Sequence, residues 1–282
     1  MKKYIAGICI VLIIILGGYL FYGNIDFSKP AMSFPEELDT NGCLGLNYHR
    51  VREDTQFNKS IEFLTGSDEL TMYNVYEDDF KKQMKLLKER GAIFLSPDEI
   101  RVAQEDGKFP DKCVWISFDD IDISVYRNAF PILKEYEIPF TLFVIAGHVG
   151  DEFGNLSLSS WEQLKEMVDS ELATVGSHTY DMHELVGDEP IFFKEGKQQK
   201  FEKDLLLSKK TIEKNLNVQV KDFAYPYGNG RDDLAYSIHR SGFESAYILA
   251  PRSITADNDK YWINRILVND EVFEEIVVKW IN

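Results

Sequence analysis

Four polar motifs in this chain carry side chains able to do hydrolytic chemistry. Asp119 and Asp120 stand together after the apolar run at 114–118. Adjacent carboxylates at a strand end splay apart. One can then hold a metal while the other stays free as a base. His178 and His183 are five residues apart. That is not the i, i+4 spacing of a helical metal site, so the pair must sit on a strand end and the loop after it. His49 and the segment Tyr225-Pro226-Tyr227-Gly228 each follow a short apolar run. Taken singly these signals are weak, because acidic pairs commonly cap turns and histidines commonly face solvent. Together they are stronger. Two histidines and one carboxylate leave open positions on a divalent metal, as catalytic sites require. A metal held so acidifies a water and polarises a carbonyl.

The elements around these residues follow a regular plan. CLGLNYH, AIFLS, KCVWISF, IPFTLFVI, ELATVGS, DFAYPYG and SAYILA read as short buried strands. Between them lie amphipathic stretches at 77–90, 124–137, 161–170, 197–216 and 232–243. Gly91 stops the first helix, and Ser96-Pro97 caps the next in the N-cap/N1 manner. Pro131 predicts a kink or break within 124–137. Residues 50–76 fit neither period and read as a long loop or an insertion. The strand–helix alternation argues for an α/β fold with a parallel sheet, open or closed as a barrel. In such folds the chemistry sits at the C-terminal ends of the strands, and His49, Asp119-Asp120, His178 and the Tyr225 segment all fall there. Trp115 lies inside a strand and reads as core.

The motifs W-I-S-F-D-D, S-H-T-Y-D-M-H and A-Y-P-Y-G resemble those of the NodB-type polysaccharide deacetylases, carbohydrate esterase family 4. L-N-Y-H-R-V near the domain start and N-R-I-L-V near its end narrow the resemblance to the poly-β-1,6-N-acetylglucosamine deacetylases of the intercellular adhesin type. The likeness spans about residues 43–280. It implies a distorted (β/α) barrel with a divalent metal held by Asp120, His178 and His183. Asp119 would then be the general base toward the attacking water, and the backbone N–H of Tyr227, beside Pro226, would hold the oxyanion. The adhesin-type enzymes resemble a circular permutation in which the general-acid histidine precedes the F-D-D strand, and His49 fits that place. His239, the only histidine near the C-terminus, lies in a helical stretch. Two departures stand out. F-D-D-I replaces the common F-D-D-G, so a permissive glycine is missing after Asp120. The usual arginine before the proline motif is also missing, and Arg265 is a candidate to orient Asp119 instead. His148 is a candidate substrate contact.

Composition agrees with an exported enzyme domain. The chain of 282 residues is 44% hydrophobic and 28% charged, which excludes a disordered or fibrous architecture. Its net charge of −16 excludes nucleic acid as an expected partner. Lys2 and Lys3 precede an uncharged run, of which residues 4–22 form a membrane-length core. Residues 1–25 therefore read as a transmembrane anchor with the rest of the chain outside the cell, or else as a cleaved signal. Without Lys2 and Lys3 the remainder carries 29 bases against 47 acids, or −18. Residues 26–40, with two prolines, read as a linker, and 41–282 as the deacetylase domain. Cys43 and Cys113 each lie six residues before a candidate site residue. They would meet if their strands were neighbours in register, but two separate buried residues are the favoured reading.

The expected activity is metal-dependent N-deacetylation of an extracellular N-acetylglucosamine polymer with release of acetate, as in a biofilm exopolysaccharide. Zn is the expected metal, with Co, Ni or Fe as alternatives. A chitin-oligomer or peptidoglycan deacetylase remains an alternative within the same chemistry. A non-catalytic carbohydrate-binding protein is the alternative outside it.

Overall fold

The computed structural model describes Phe34, Pro35 and residues 38–56 and 72–282. The expected anchor at 1–25 lies outside the described residues, as do most of the linker and residues 57–71. A compact unit runs from Phe34 to Asn282. Among the described residues, no helix is long and apolar enough to cross a membrane.

Fourteen strands are described. Eight form one sheet: β1 (Cys43–Tyr48), β4 (Ile93–Phe94), β5 (Cys113–Phe118), β6 (Phe140–Val144), β9 (Ala173–Ser177), β12 (Asp222–Ala224), β13 (Ser245–Leu249) and β14 (Ile263–Leu267). Their order is β1-β14-β13-β12-β9-β6-β5-β4, and β5 also pairs with β1. Seven strands thus close into a parallel barrel, with β4 attached to β5 outside the ring. The alternation of strands and helices left open whether the sheet closes, and the ring is the barrel that the family resemblance implies. The other strands form three ribbons: β2 (Arg50–Arg52) with β3 (Asn74–Tyr76), β7 (Glu152–Phe153) with β8 (Leu156–Ser157), and β10 (Leu185–Val186) with β11 (Glu189–Pro190). The segment read as one long loop at 50–76 therefore has paired ends, Arg50 opposite Asn74 and Arg52 opposite Tyr76.

The helices cover the barrel. They are α1 (Glu77–Glu89), α2 (Pro97–Glu105), α3 (Phe130–Glu135), α4 (Trp161–Asp169), α5 (Gln198–Leu216) and α6 (Asp232–Arg240). A further helical stretch at 270–281, not foreseen from sequence, ends the chain. Ser96 caps α2 in a full capping box with Glu99, and Pro97 takes the first position. The break expected at Pro131 takes the form of a π-helical turn (Val125–Ala129) directly before it. The backbone stays helical into α3, where Pro131 is the second residue.

Alternation along the strands sorts side chains into two cores. Leu44, Leu46, Tyr48, Val114, Ile116 and Phe118 face the helices. Cys43, Cys113, Trp115, Phe143, Tyr247 and Ile263 form the second cluster, inside the barrel. The Trp115 ring lies 4.6 Å from that of Tyr247, and its indole N–H donates to Thr141 Oγ1. Trp115 is core, as its strand position predicts. One alternation step above Trp115 is Ser117, and one above that is Asp119.

Candidate active site

Barrel register brings the site together. Strand β1 pairs with β5 residue for residue, from Cys43 opposite Cys113 to Tyr48 opposite Phe118. His49 and Asp119, the next residues on each strand, therefore emerge side by side at the mouth. Both line one cleft of about 410 Å³ with Asp120, His178, His183 and Tyr227. The same register joins Cys43 and Cys113 in a disulfide. This overturns the favoured reading of two separate residues, because adjacency of β1 and β5 is not visible in the sequence.

Asp119 is almost fully buried and is gripped by Arg265 through two parallel bonds, 2.6 Å to Oδ1 and 2.8 Å to Oδ2. Arg265 comes from β14 and is itself 0% exposed. Its guanidinium lies over the Phe143 ring at 4.9 Å and reaches Ser117 Oγ at 3.3 Å. Burial pushes the Asp119 carboxyl up. The Arg265 charge and hydrogen bonds overcome that push and, with His178, hold it well below the usual carboxylate range. Asp119 is thus a fixed anion whose orientation Arg265 sets.

Asp120 and Ile121 adopt left-handed backbone, with φ of 64° and 65°. This is where a glycine is absent. A β-branched residue in that region is strained. Here the Ile121 side chain is fully buried in the core, which offsets the strain. The turn swings the Asp120 carboxylate away from Asp119 and toward the histidines. Asp120 Oδ1 lies 3.5 Å from His178 Nε2 and 3.3 Å from His183 Nε2.

His178 is buried, and its Nδ1 lies 2.8 Å from the Ala224 carbonyl. A carbonyl only accepts, so Nδ1 carries the proton and Nε2 faces the cleft as a lone pair. Burial pushes the His178 imidazole down to about 4, against the pull of Asp119. Asp120 Oδ1 is buried without a hydrogen-bond partner. Ligand atoms of Asp120, His178 and His183 all lie within 4.8 Å of one another. Three converging acceptors with an orphaned carboxylate oxygen among them fit a divalent cation.

The remaining candidates fall around this centre. His49 faces the cleft with its ring 4.7 Å from Tyr73. Burial holds it below its ordinary value, while Asp120 and Asp119 pull the other way. The Tyr227 ring packs on His183 at 4.6 Å. Tyr227 and Gly228 are both left-handed, and a Cβ on Gly228 would meet that of Leu249 at 2.3 Å. Pro226 is buried at the start of that turn. His148 stands one ring back from the cleft. Its Nε2 lies 2.8 Å from Asp181, and its ring packs on Phe153 at 4.4 Å. His239 lies away from the cleft, on α6, with Nδ1 2.8 Å from the Tyr261 hydroxyl.

Several lining residues escaped the sequence reading. Phe153 and Asn155 reach the cleft from the β7–β8 hairpin, and Arg50 and Tyr73 reach it from either end of 50–76. Gly154-Asn155 is a legible hairpin turn, but nothing in it signals chemistry.

Fold and site together define a metal-ready hydrolytic barrel, and comparison with known proteins agrees. The sequence profile of the polysaccharide deacetylase family matches residues 106–246. The chain is 37% identical to the poly-β-1,6-N-acetyl-D-glucosamine N-deacetylase of Staphylococcus aureus, covering 99% of this chain and 97% of that protein. It is 40% identical to the same-named protein of Staphylococcus epidermidis over 86% of this chain and 85% of the other. Among solved structures, IcaB from Ammonifex degensii superposes with a TM-score of 0.76 at 32% identity, covering 87% of this chain and 99% of that one. The chain belongs to the polysaccharide deacetylase family. It is a hydrolase of a carbon–nitrogen amide bond, a polysaccharide N-deacetylase.

Proposed function

We propose that the protein removes acetyl groups from poly-β-1,6-N-acetylglucosamine outside the cell, in a metal-dependent reaction. The observation that carries this reading is the pairing of a fixed anion, Asp119, with the three-acceptor cluster beside it. Binding alone would need no second carboxylate beside that cluster. The curated relatives' substrate supports the choice of polymer.

Asp120, His178 and His183 would hold the cation. A divalent cation there supplies Lewis-acid polarisation of the acetamide carbonyl and makes water more acidic. Asp119, oriented by Arg265, takes the proton from the attacking water. The Tyr227 N–H donates to the oxyanion that develops on the carbonyl oxygen. His49, on the facing strand end, gives a proton to the departing amine. Acetate and a glucosamine unit result. Phe153 and, behind it, His148 flank the cleft where a neighbouring sugar would lie. Zn is the expected metal, and Co, Ni and Fe suit the same ligands. The Cys43–Cys113 disulfide suits an oxidising compartment, and residues 1–25 would tether the domain to the membrane or direct its secretion. New ammonium groups on the polymer would be attracted to an acidic surface.

The test uses purified enzyme loaded with Zn, Co or Ni, given β-1,6- and β-1,4-linked N-acetylglucosamine oligomers in parallel. Metal-dependent amine release from the β-1,6 series is expected. Release from the β-1,4 series alone would keep the chemistry and overturn the polymer. Asp119→Asn should keep its metal and lose turnover by about 10²–10⁴-fold.

A further inference from the structure

We propose that Asp204 is a positioning residue for the metal-ligand pair, clamping from outside the loop that joins His178 to His183. The inference rests on the reading of those histidines as ligands. Asp204 belongs to α5 and touches neither ring. Its Oδ1 accepts the Tyr180 N–H at 2.7 Å and its Oδ2 accepts the Asp181 N–H at 2.8 Å. One carboxylate thus ties down two successive backbone groups midway between the histidines.

The helix itself marks the position as unusual. The buried face of α5 runs Phe201, Asp204, Leu205, Ser208, Ile212, Leu216. That is the spacing of an apolar stripe, yet two of its members are polar. A polar residue at a core position is an error unless function requires it. Ser208, one turn after Asp204, serves the same loop. Its hydroxyl lies 2.7 Å from Ser177 Oγ and donates to the Thr179 carbonyl at 3.1 Å. Ser177 Oγ in turn accepts from the Thr179 N–H.

The loop needs such a hold. To turn both rings inward over five residues, it places Thr179 at φ 79°. This is strained for a β-branched side chain. On its inner side the loop is held by backbone bonds from Ala146 to the Thr179 carbonyl and from Gly147 to the Tyr180 carbonyl. Asp204 supplies the opposing hold on the helix side. Asp181, whose N–H is clamped, lies two residues before His183. Without the clamp His183 loses its fixed approach to Asp120, and the three-acceptor cluster opens.

The experiment measures metal affinity of the chelator-stripped protein by competition with a chromophoric chelator, using Zn, and by the visible absorption of bound Co. Asp204→Asn keeps the volume but turns an NH₂ toward one of the two N–H groups. Zn affinity is expected to fall about 10-fold, the lower end of what displaced supporting partners cost, with an altered Co spectrum. Asp222→Asn is the control for general destabilisation. It removes a buried carboxylate bonded to Arg101 and Tyr247, and should lower Tm while leaving affinity within about twofold. Wild-type affinity and spectrum in Asp204→Asn would overturn the proposal, as would an equal loss in Asp222→Asn. If Asp204→Asn does not fold, Ser208→Ala carries the test: a several-fold loss supports the clamp and an unchanged affinity overturns it. His183→Ala tests the premise separately, since undiminished Zn binding there would remove His183 as a ligand.

Discussion

Arg265 and Asp119 form an ion pair with both partners out of water and two hydrogen bonds between them. Breaking such a pair from one side costs about 3–5 kcal/mol, because the other charge stays buried. Arg265→Met should therefore lower stability by that order. It should also change the pH profile. Burial alone pushes the Asp119 carboxyl up, and Arg265 is the main influence holding it down. With Arg265 gone, the acid limb of kcat/KM should move to higher pH. An unmoved limb would mean that Arg265 does not tune the base. His178 and Asp204 act on stability with opposite signs. His178 is pushed down to about 4, so between there and its ordinary 6.5 the unfolded chain binds a proton that the folded one refuses. Metal-free protein therefore loses stability as pH falls from 6.5 toward 4. Asp204 is pushed up to about 6 by burial, so its contribution is present below 3.8 and lost as pH rises through 6. His178→Gln leaves the second effect and removes the first. Thermal melts of the metal-free protein at pH 5 and 7 should show a smaller acid loss in His178→Gln than in the wild type. Equal losses would contradict the burial argument.

At the scale of elements, the site is a consequence of strand ends and of a few forced turns. Gly228 shows how tight one turn is. It follows left-handed Tyr227, has φ 68°, and has the Leu249 side chain where a Cβ would stand. Gly228→Ala should cost upward of about 1 kcal/mol and lower kcat by shifting the Tyr227 N–H, with Zn affinity nearly unchanged because no ligand lies on that turn. Normal kcat in a stably folded Gly228→Ala protein would exclude the Tyr227 backbone from the reaction. The strand ends themselves were legible. His49, Asp119-Asp120, His178 and the Tyr225 segment each follow an apolar run, and chemistry at C-terminal strand ends is a rule of the fold class. Adjacency was not legible. Nothing in N-R-I-L-V says that β14 enters the ring between β1 and β13, which is what aims Arg265 at Asp119. The clamp at Asp204 was hidden for a related reason. An aspartate inside an amphipathic helix looks like solvent-facing charge until the opposing loop is known. Ile121 was misleading in the other direction. Its missing glycine suggested a different turn, but a buried side chain holds the left-handed backbone that glycine would have adopted freely.

For the whole molecule, the barrel closes through pairings between strands far apart in the chain. Strands β1 and β5 are separated by 70 residues between their cysteines, and their contact completes the ring. The disulfide ties this seam at its N-terminal end, while His49 and Asp119 leave it at the other. The two ends are six residues apart on each strand, so the bond should act on stability and not on chemistry. In the chain-entropy account, a loop of this length gains about 4 kcal/mol from closure, most of it by restricting the unfolded chain. For a domain of this size that corresponds to roughly 10 °C in Tm. Cys43→Ala combined with Cys113→Ala should melt lower by about that amount, and reductant should lower the wild-type Tm but leave the double variant's unchanged. At a temperature where all forms are folded, kcat should agree within about twofold, since the strand register rests on six paired residues and not on the sulfurs alone. A large fall in kcat without the bond would show that the register at the mouth depends on the staple at the base. A Tm indifferent to reductant would show that the closed ring, with its two packed cores, holds the seam unaided.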